Sequence, residues 1–258
     1  MLNQQTTDDL PIEAKIYFYY GILICTAVAK MVSQLDHPVK CRIFNRTCNV
    51  SLHTLLWRFA KENIISQIDT LQLYLPSTYK NCNVCAEHFE LLNLDQLYFV
   101  YNERCFVTQD LATLLIESSP GPRVLSYDDL SITHLNFPDN LELLKVGSRS
   151  SFWDLKIPLS QQFLRLAELN LDFHAQINEK YIDRKLLHLS ILKTLRVSGV
   201  VHLNTKLICG ILESNPIVAA FSIYTMEPYE SLESLYRNMS HVKLLDISYQ
   251  NMARYTLP

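Results

Sequence analysis

Three large apolar residues at positions i, i+3 and i+5 recur along the chain, and seven such triplets fall into one phase. The copies are Ile68-Leu71-Leu73, Leu94-Leu97-Phe99, Leu141-Leu144-Val146, Leu166-Leu169-Leu171, Leu192-Leu195-Val197, Val218-Phe221-Ile223 and Val242-Leu245-Ile247. An eighth, poorer copy has Leu125 and Tyr127, with Pro122 in the first place. Counted between middle positions, the intervals are 26, 28, 19, 25, 26, 26 and 24 residues. A freely chosen phase does not hold over eight copies by chance, so the chain is read as a repeat. The last two residues of each triplet are separated by one position, so they share one face of a short strand.

The rest of each unit must bring the chain back to the start of the next strand. Several of these returns have helical spacing: Leu111, Leu114 and Leu115; Ile208, Ile211 and Leu212; and Leu232, Leu235, Tyr236 and Met239. Pro120, Pro216 and Pro228 stand where such helices or loops would start or stop. A unit of strand, turn and helix cannot bury its apolar face alone, but stacked units share a continuous core. The alternative is an ordinary α/β domain with leucine-rich strands.

The strand–helix repeat with L-x-x-L-x-L spacing over residues 66–258 resembles the leucine-rich-repeat family. The resemblance implies an α/β fold, a right-handed solenoid or horseshoe of about eight repeats. The family also places Asn or Cys five residues beyond the middle leucine, and only Asn102 fits. The other copies have Pro76, Leu130, Arg149, His174, Val200, Met226 and Gln250 there, so the array is divergent.

Residues 1–65 hold no clear copy and are expected to be a helical N-terminal region, either a cap or a small domain. Two fragments there resemble the F-box, a short helical module that binds the Skp-type adaptor of cullin–RING ubiquitin ligases. Leu10, Pro11 and Glu13 match its opening L-P-x-E, and Cys41, Arg42, Phe44, Leu56 and Trp57 echo its closing C-R-x-F…L-W. The resemblance implies adaptor binding through Leu10, Pro11, Glu13 and Trp57. The stretch between the fragments is longer than in the family and lacks its D-L and V-C pattern. It includes the apolar run Ile16–Ala29, 14 residues long. A spanning helix needs roughly 17–25 apolar residues, so a buried helix is expected, with a membrane anchor or a signal segment as alternatives.

Composition narrows the function. A net charge of −3 and no dense Lys/Arg run give no general attraction to nucleic acid. Only five glycines are present, and neither G-x-x-x-x-G-K-[ST] nor G-x-G-x-x-G occurs. Seven irregularly spaced cysteines lack the pattern of a disulfide framework, so a reducing compartment, the cytoplasm or nucleus, is expected. Sequons at Asn45, Asn49 and Asn238 are of a number expected by chance. Cys82, Cys85 and His88, with Cys105, have the donor types zinc favours, but no second ligand pair follows, and small core cysteines are the default. The histidines have no recurrent carboxylate or nucleophile partner, and neither H-E-x-x-H nor G-x-S-x-G is present. Neither an enzyme nor a cofactor is expected.

If the L-x-L side chains point inward, the residue between them and the one after point outward. That stripe reads Gln72 and Tyr74, Tyr98 and Val100, Lys145, Asn170 and Asp172, Arg196 and Ser198, Ser222 and Tyr224, then Asp246 and Ser248. Tyrosine and arginine are frequent interface anchors, so this face is the candidate site for a protein target. The expectation is a recognition module without catalysis, in its leading version a substrate receptor of a cullin–RING ligase. The alternatives are a scaffold or regulator with no ligase link, and a membrane-anchored recognition protein.

Overall fold

The structure, a computed structural model, describes residues 12–18, 34, 39–45, 68–74, 94–100, 115–116, 121–127, 137–147, 159–178, 185, 187–225 and 233–249. The chain divides into two compact units, Met1–Gly121 and Pro122–Pro258. The boundary expected near residue 65 falls inside the first of them.

The first unit contains strands β1 (Ile12–Phe18), β2 (Val39–Asn45), β3 (Ile68–Tyr74) and β4 (Gln96–Val100), each parallel to the next. The second contains β5 (Val124–Tyr127), β6 (Leu143–Gly147), β7 (Glu168–Phe173), β8 (Thr194–Gly199), β9 (Ala220–Thr225) and β10 (Leu244–Tyr249), again parallel in sequence order. Neither run of strands closes into a barrel. Helix is sparse among the described residues: besides helical positions at 115–116 and a 3-10 position at 185, it comprises α1 (Leu159–Gln162), a 3-10 turn at His202–Asn204, α2 (Thr205–Ser214) and α3 (Glu233–Tyr236).

Each sequence triplet from Ile68 to Ile223 meets its strand with the expected side buried. Leu144, Leu169, Leu195 and Phe221 lie in one register line across β6 to β9, and Val146, Leu171, Val197 and Ile223 lie in the next. All eight are buried. Burying a side chain of this size stabilises by about 1.5–3 kcal/mol, so two such rows dominate the local energetics. The poorer copy has the same phase, with Leu125 opposite Leu144 and both Leu125 and Tyr127 buried. Parallel sheets are commonly covered on both faces and read as continuous apolar runs. Here β7 alternates half-buried and buried residues along its length, so one face is core and the other is open.

Helix α2 carries the predicted Ile208, Ile211 and Leu212 on its buried side, and Asn215 with Pro216 ends it. Leu235 and Met239 are buried as expected beside α3, whereas Tyr236 is exposed. Of the return before Pro120, Leu115 is described and buried.

The N-terminal expectation is corrected over two stretches. Ile12–Phe18 and Val39–Asn45 are strands, not helices, and the start of the apolar run at Ile16 belongs to β1. Ala14 and Cys41 fall in the register line of Leu71, and Ile16 and Ile43 in that of Leu73. The same three-point spacing therefore exists here as Pro11-Ala14-Ile16 and Pro38-Cys41-Ile43. A small residue in the middle position and proline in the first concealed it.

Two backbone devices join successive strands of the second unit. At the foot of each strand, one carbonyl accepts two successive amides from the next strand. Glu142 O takes Ala167 N and Glu168 N at 2.9 and 3.0 Å, Ala167 O takes Lys193 N and Thr194 N at 2.9 and 3.0 Å, and Lys193 O takes Ala219 N and Ala220 N at 2.9 and 3.1 Å. Ala219 O takes Lys243 N and Leu244 N in the same way, both at 2.9 Å.

The second device is a pair of buried asparagines. Val200 occupies the place where the family resemblance implies Asn, and its amide donates to Phe173 O at 2.7 Å. Four residues later, Asn204 is buried with its side-chain amide fully engaged. It accepts from Ile177 N at 2.8 Å and donates to Ala175 O at 3.1 Å and Val200 O at 2.9 Å. Asn215 does the same at the end of α2, accepting from Leu189 N and donating to Leu187 O and Ile211 O at 2.6, 2.9 and 2.7 Å. Buried backbone groups need such partners, and a fully bonded amide side chain provides several at once.

Candidate binding face on the parallel sheet

The open face of the second unit is set by the pleat. With Leu144, Leu169, Leu195 and Phe221 turned inward, their neighbours at alternate positions must turn outward. Lys145, Asn170, Arg196, Ser222 and Asp246 stand opposite one another across β6 to β10. One pleat further on, Asp172, Ser198, Tyr224 and Ser248 form the next row.

These two rows border a groove of about 290 Å³. Lys145, Asn170, Arg196 and Ser198 line it toward β6, and Ser222, Tyr224, Asp246 and Ser248 line it toward β10. Of the stripe read from the sequence within this unit, only Asp172 is not in the lining. It sits alongside, accepting a hydrogen bond from Ser198 Oγ at 2.8 Å, with Lys145 Nζ at 4.0 Å and His174 Nε2 at 3.8 Å.

The remaining predicted residues belong to the first unit or lie outside the described residues. Gln72 is half-buried on β3, and Tyr98 is half-buried on β4. The Tyr98 hydroxyl donates to Gln96 Oε1 at 3.0 Å. Burial, and secondarily the Asp95 carboxylate, hold that hydroxyl above its ordinary pKa. Tyr74 and Val100 end β3 and β4 as backbone positions, and their side chains are outside the described residues. Glu13 is likewise placed only as a β1 backbone position, and Leu10, Pro11 and Trp57 are outside the described residues, as are Cys82, Cys85, His88 and Cys105. Among the described residues no three His, Cys, Asp or Glu side chains come together as a metal site would require, and no helix is long and apolar enough to cross a membrane.

One member of the face was missed by the sequence reading. Glu168 stands two residues before Asn170 and pairs with Arg196 Nε at 2.9 Å. Extending the period of two one step toward the start of β7 would have found it. Both cations of the groove thus have a carboxylate near them, Arg196 with Glu168 and Lys145 with Asp172. These pairs are partly exposed, where each contributes no more than about 1 kcal/mol and can be exchanged for an incoming partner. Asn170 Oδ1 is buried and has no hydrogen-bond partner. The face offers ion pairs, hydroxyls, an amide and one exposed aromatic ring, which is a set suited to recognition.

No protein-family model matches the sequence, and no curated protein matches it.

Proposed function

We propose that the chain is a protein-recognition module of the leucine-rich-repeat type, a right-handed α/β solenoid of about eight or more repeats that binds a protein target without catalysing a reaction itself. The observation that carries this reading is the groove across β6 to β10, where eight of the outward residues read from the sequence line one depression on an open parallel sheet. The aligned register of the triplets supports the repeat, and the strong right-handed preference of parallel crossovers supports the hand. An open, polar sheet face opposite a fully apolar one is what a stacked repeat leaves available for a partner.

The reading is of a scaffold or regulatory binding protein, with the ligase link secondary. Cys41, Arg42 and Phe44, which carry the closing part of the F-box resemblance, lie on strand β2, where that helical module would need a helix. The test is binding of the full-length chain to a Skp-type adaptor, beside a variant carrying Leu10→Asp and Trp57→Ala. No binding by the wild type leaves a recognition module with no ligase role. Binding that the variant abolishes would restore the substrate-receptor reading, in which other subunits supply the ubiquitin transfer.

A further inference from the structure

Resting on the recognition reading, we infer that the groove takes a polypeptide segment presenting a basic side chain, arginine in preference to lysine, to Asp246 and the ring of Tyr224. The charges of the face lead there. Arg196 already faces Glu168 at 2.9 Å, and Lys145 faces Asp172 at 4.0 Å. Asp246 is exposed and, among the described residues, has no hydrogen bond or ion pair. It is the groove's uncompensated charge, so a partner segment is complementary if it brings a cation to β10.

The neighbours of Asp246 define which cation. Asp246 pairs in register with Ser222 on β9, and Tyr224 is one pleat further along, opposite Ser248. Tyr224 is 45% exposed, so its ring is open to a partner. Adjacent strands are about 4.8 Å apart and successive same-face residues about 6.6 Å, so the two residues are rooted roughly 8 Å apart on a diagonal, within reach of one long side chain. A cation is attracted to a ring face within about 6 Å of its centre. A guanidinium laid on Tyr224 therefore reaches Asp246 with its fork, and its flat shape suits both contacts; an ammonium is a point charge that serves them less well.

A second anchor lies toward β7. Asn170 lines the same groove, and its buried Oδ1 has no donor. From β7 to β10 is three strand spacings, about 14 Å, which an extended segment covers in about four residues. The segment that fits crosses the strands with its arginine over β10 and an N–H or O–H donor about four residues away over β7.

The experiment titrates the full-length protein with fluorescent nine-residue peptide pools, randomised except for Arg, Lys, Gln or Glu at the central position. The Arg pool should bind tightest, roughly tenfold better than the Gln pool, with Lys between and Glu weakest. Asp246→Asn should erase the Arg-over-Gln preference, and Tyr224→Leu should erase Arg-over-Lys. Both are outward positions, so the melting temperature should not move. Ser222→Trp, which fills the groove floor, should abolish binding of every pool. Binding lost on Ser222→Trp but indifferent to the central residue would overturn the arginine inference and leave the recognition face standing. Binding untouched by Ser222→Trp would overturn both. A preference for the Glu pool, or an absence of binding by all four, would overturn the inference.

Discussion

Strands β9 and β10 are neighbours with the same apolar spacing, yet they bury different amounts of it. Val218, Phe221 and Ile223 are at most 1% exposed, whereas Leu245 is 44% exposed and Val242 and Ile247 are half-buried. β9 has parallel partners on both sides, and among the described residues β10 has one. The triplet therefore specifies a strand and its inward side, but burial comes from having a strand on each flank. Stability in such a sheet resides in the contacts between neighbouring strands as much as within each segment.

The same charge placed at both depths should separate the two strands most. Leu195→Asp puts an unpaired carboxylate among fully buried side chains and should cost at least about 5 kcal/mol, enough to remove cooperative melting of the second unit. Leu245→Asp should cost no more than about 1–2 kcal/mol, because its side chain keeps access to water. Thermal denaturation followed by circular dichroism separates the two, and equal losses would mean that stacking does not set burial here.

The asparagines repeat the contrast on the return segments. Asn215→Ala leaves Leu189 N, Leu187 O and Ile211 O without their side-chain partner and should cost about 3 kcal/mol in urea unfolding. Asn238, ahead of β10, makes one long contact of 3.5 Å to Ser234 O, and Asn238→Ala should shift stability by under about 0.5 kcal/mol. A comparable loss at both sites would show that the bonded network is not what matters.

Gly199 refines the picture at the far end of β8. Its φ is +82°, and an added Cβ would stand 2.2 Å from Phe173 O on the neighbouring strand. Gly199→Ala should cost about 2 kcal/mol or more from backbone strain and displacement of β7, measurable in the same unfolding assay. The smallest effect belongs to the open face: Arg196→Ala should change stability by less than about 1 kcal/mol, since its pair with Glu168 is solvent-exposed. A large destabilisation by Arg196→Ala would mean that the face is a structural element and not a binding surface.

Much of the second unit could be read from the sequence because Leu, Val, Ile and Phe occupy every inward position from Leu141 to Ile223 at a steady spacing. The outward rows followed from that phase, since a period of two fixes both faces together. The first two strands could not be read in the same way. Their middle residues are Ala14 and Cys41, too small to register as part of a leucine pattern, and the apolar run from Ile16 suggested a helix. Asn204 and Asn215 were missed for another reason: each serves backbone groups of the preceding unit, some 27 residues away, and no local spacing marks such a role.

The paired amides at the foot of each strand have a consequence for how such a chain can change length. The accepting carbonyls belong to Glu142, Ala167, Lys193 and Ala219, and nothing in those side chains is needed for the contact. A cut made there removes a whole module and leaves matching ends. Excising residues 168–193 would join Ala167 to Thr194, and the amides of those two residues could then meet Glu142 O as Ala167 and Glu168 do now. An excision on these bounds is therefore the change of length that should disturb the joints between the remaining strands least.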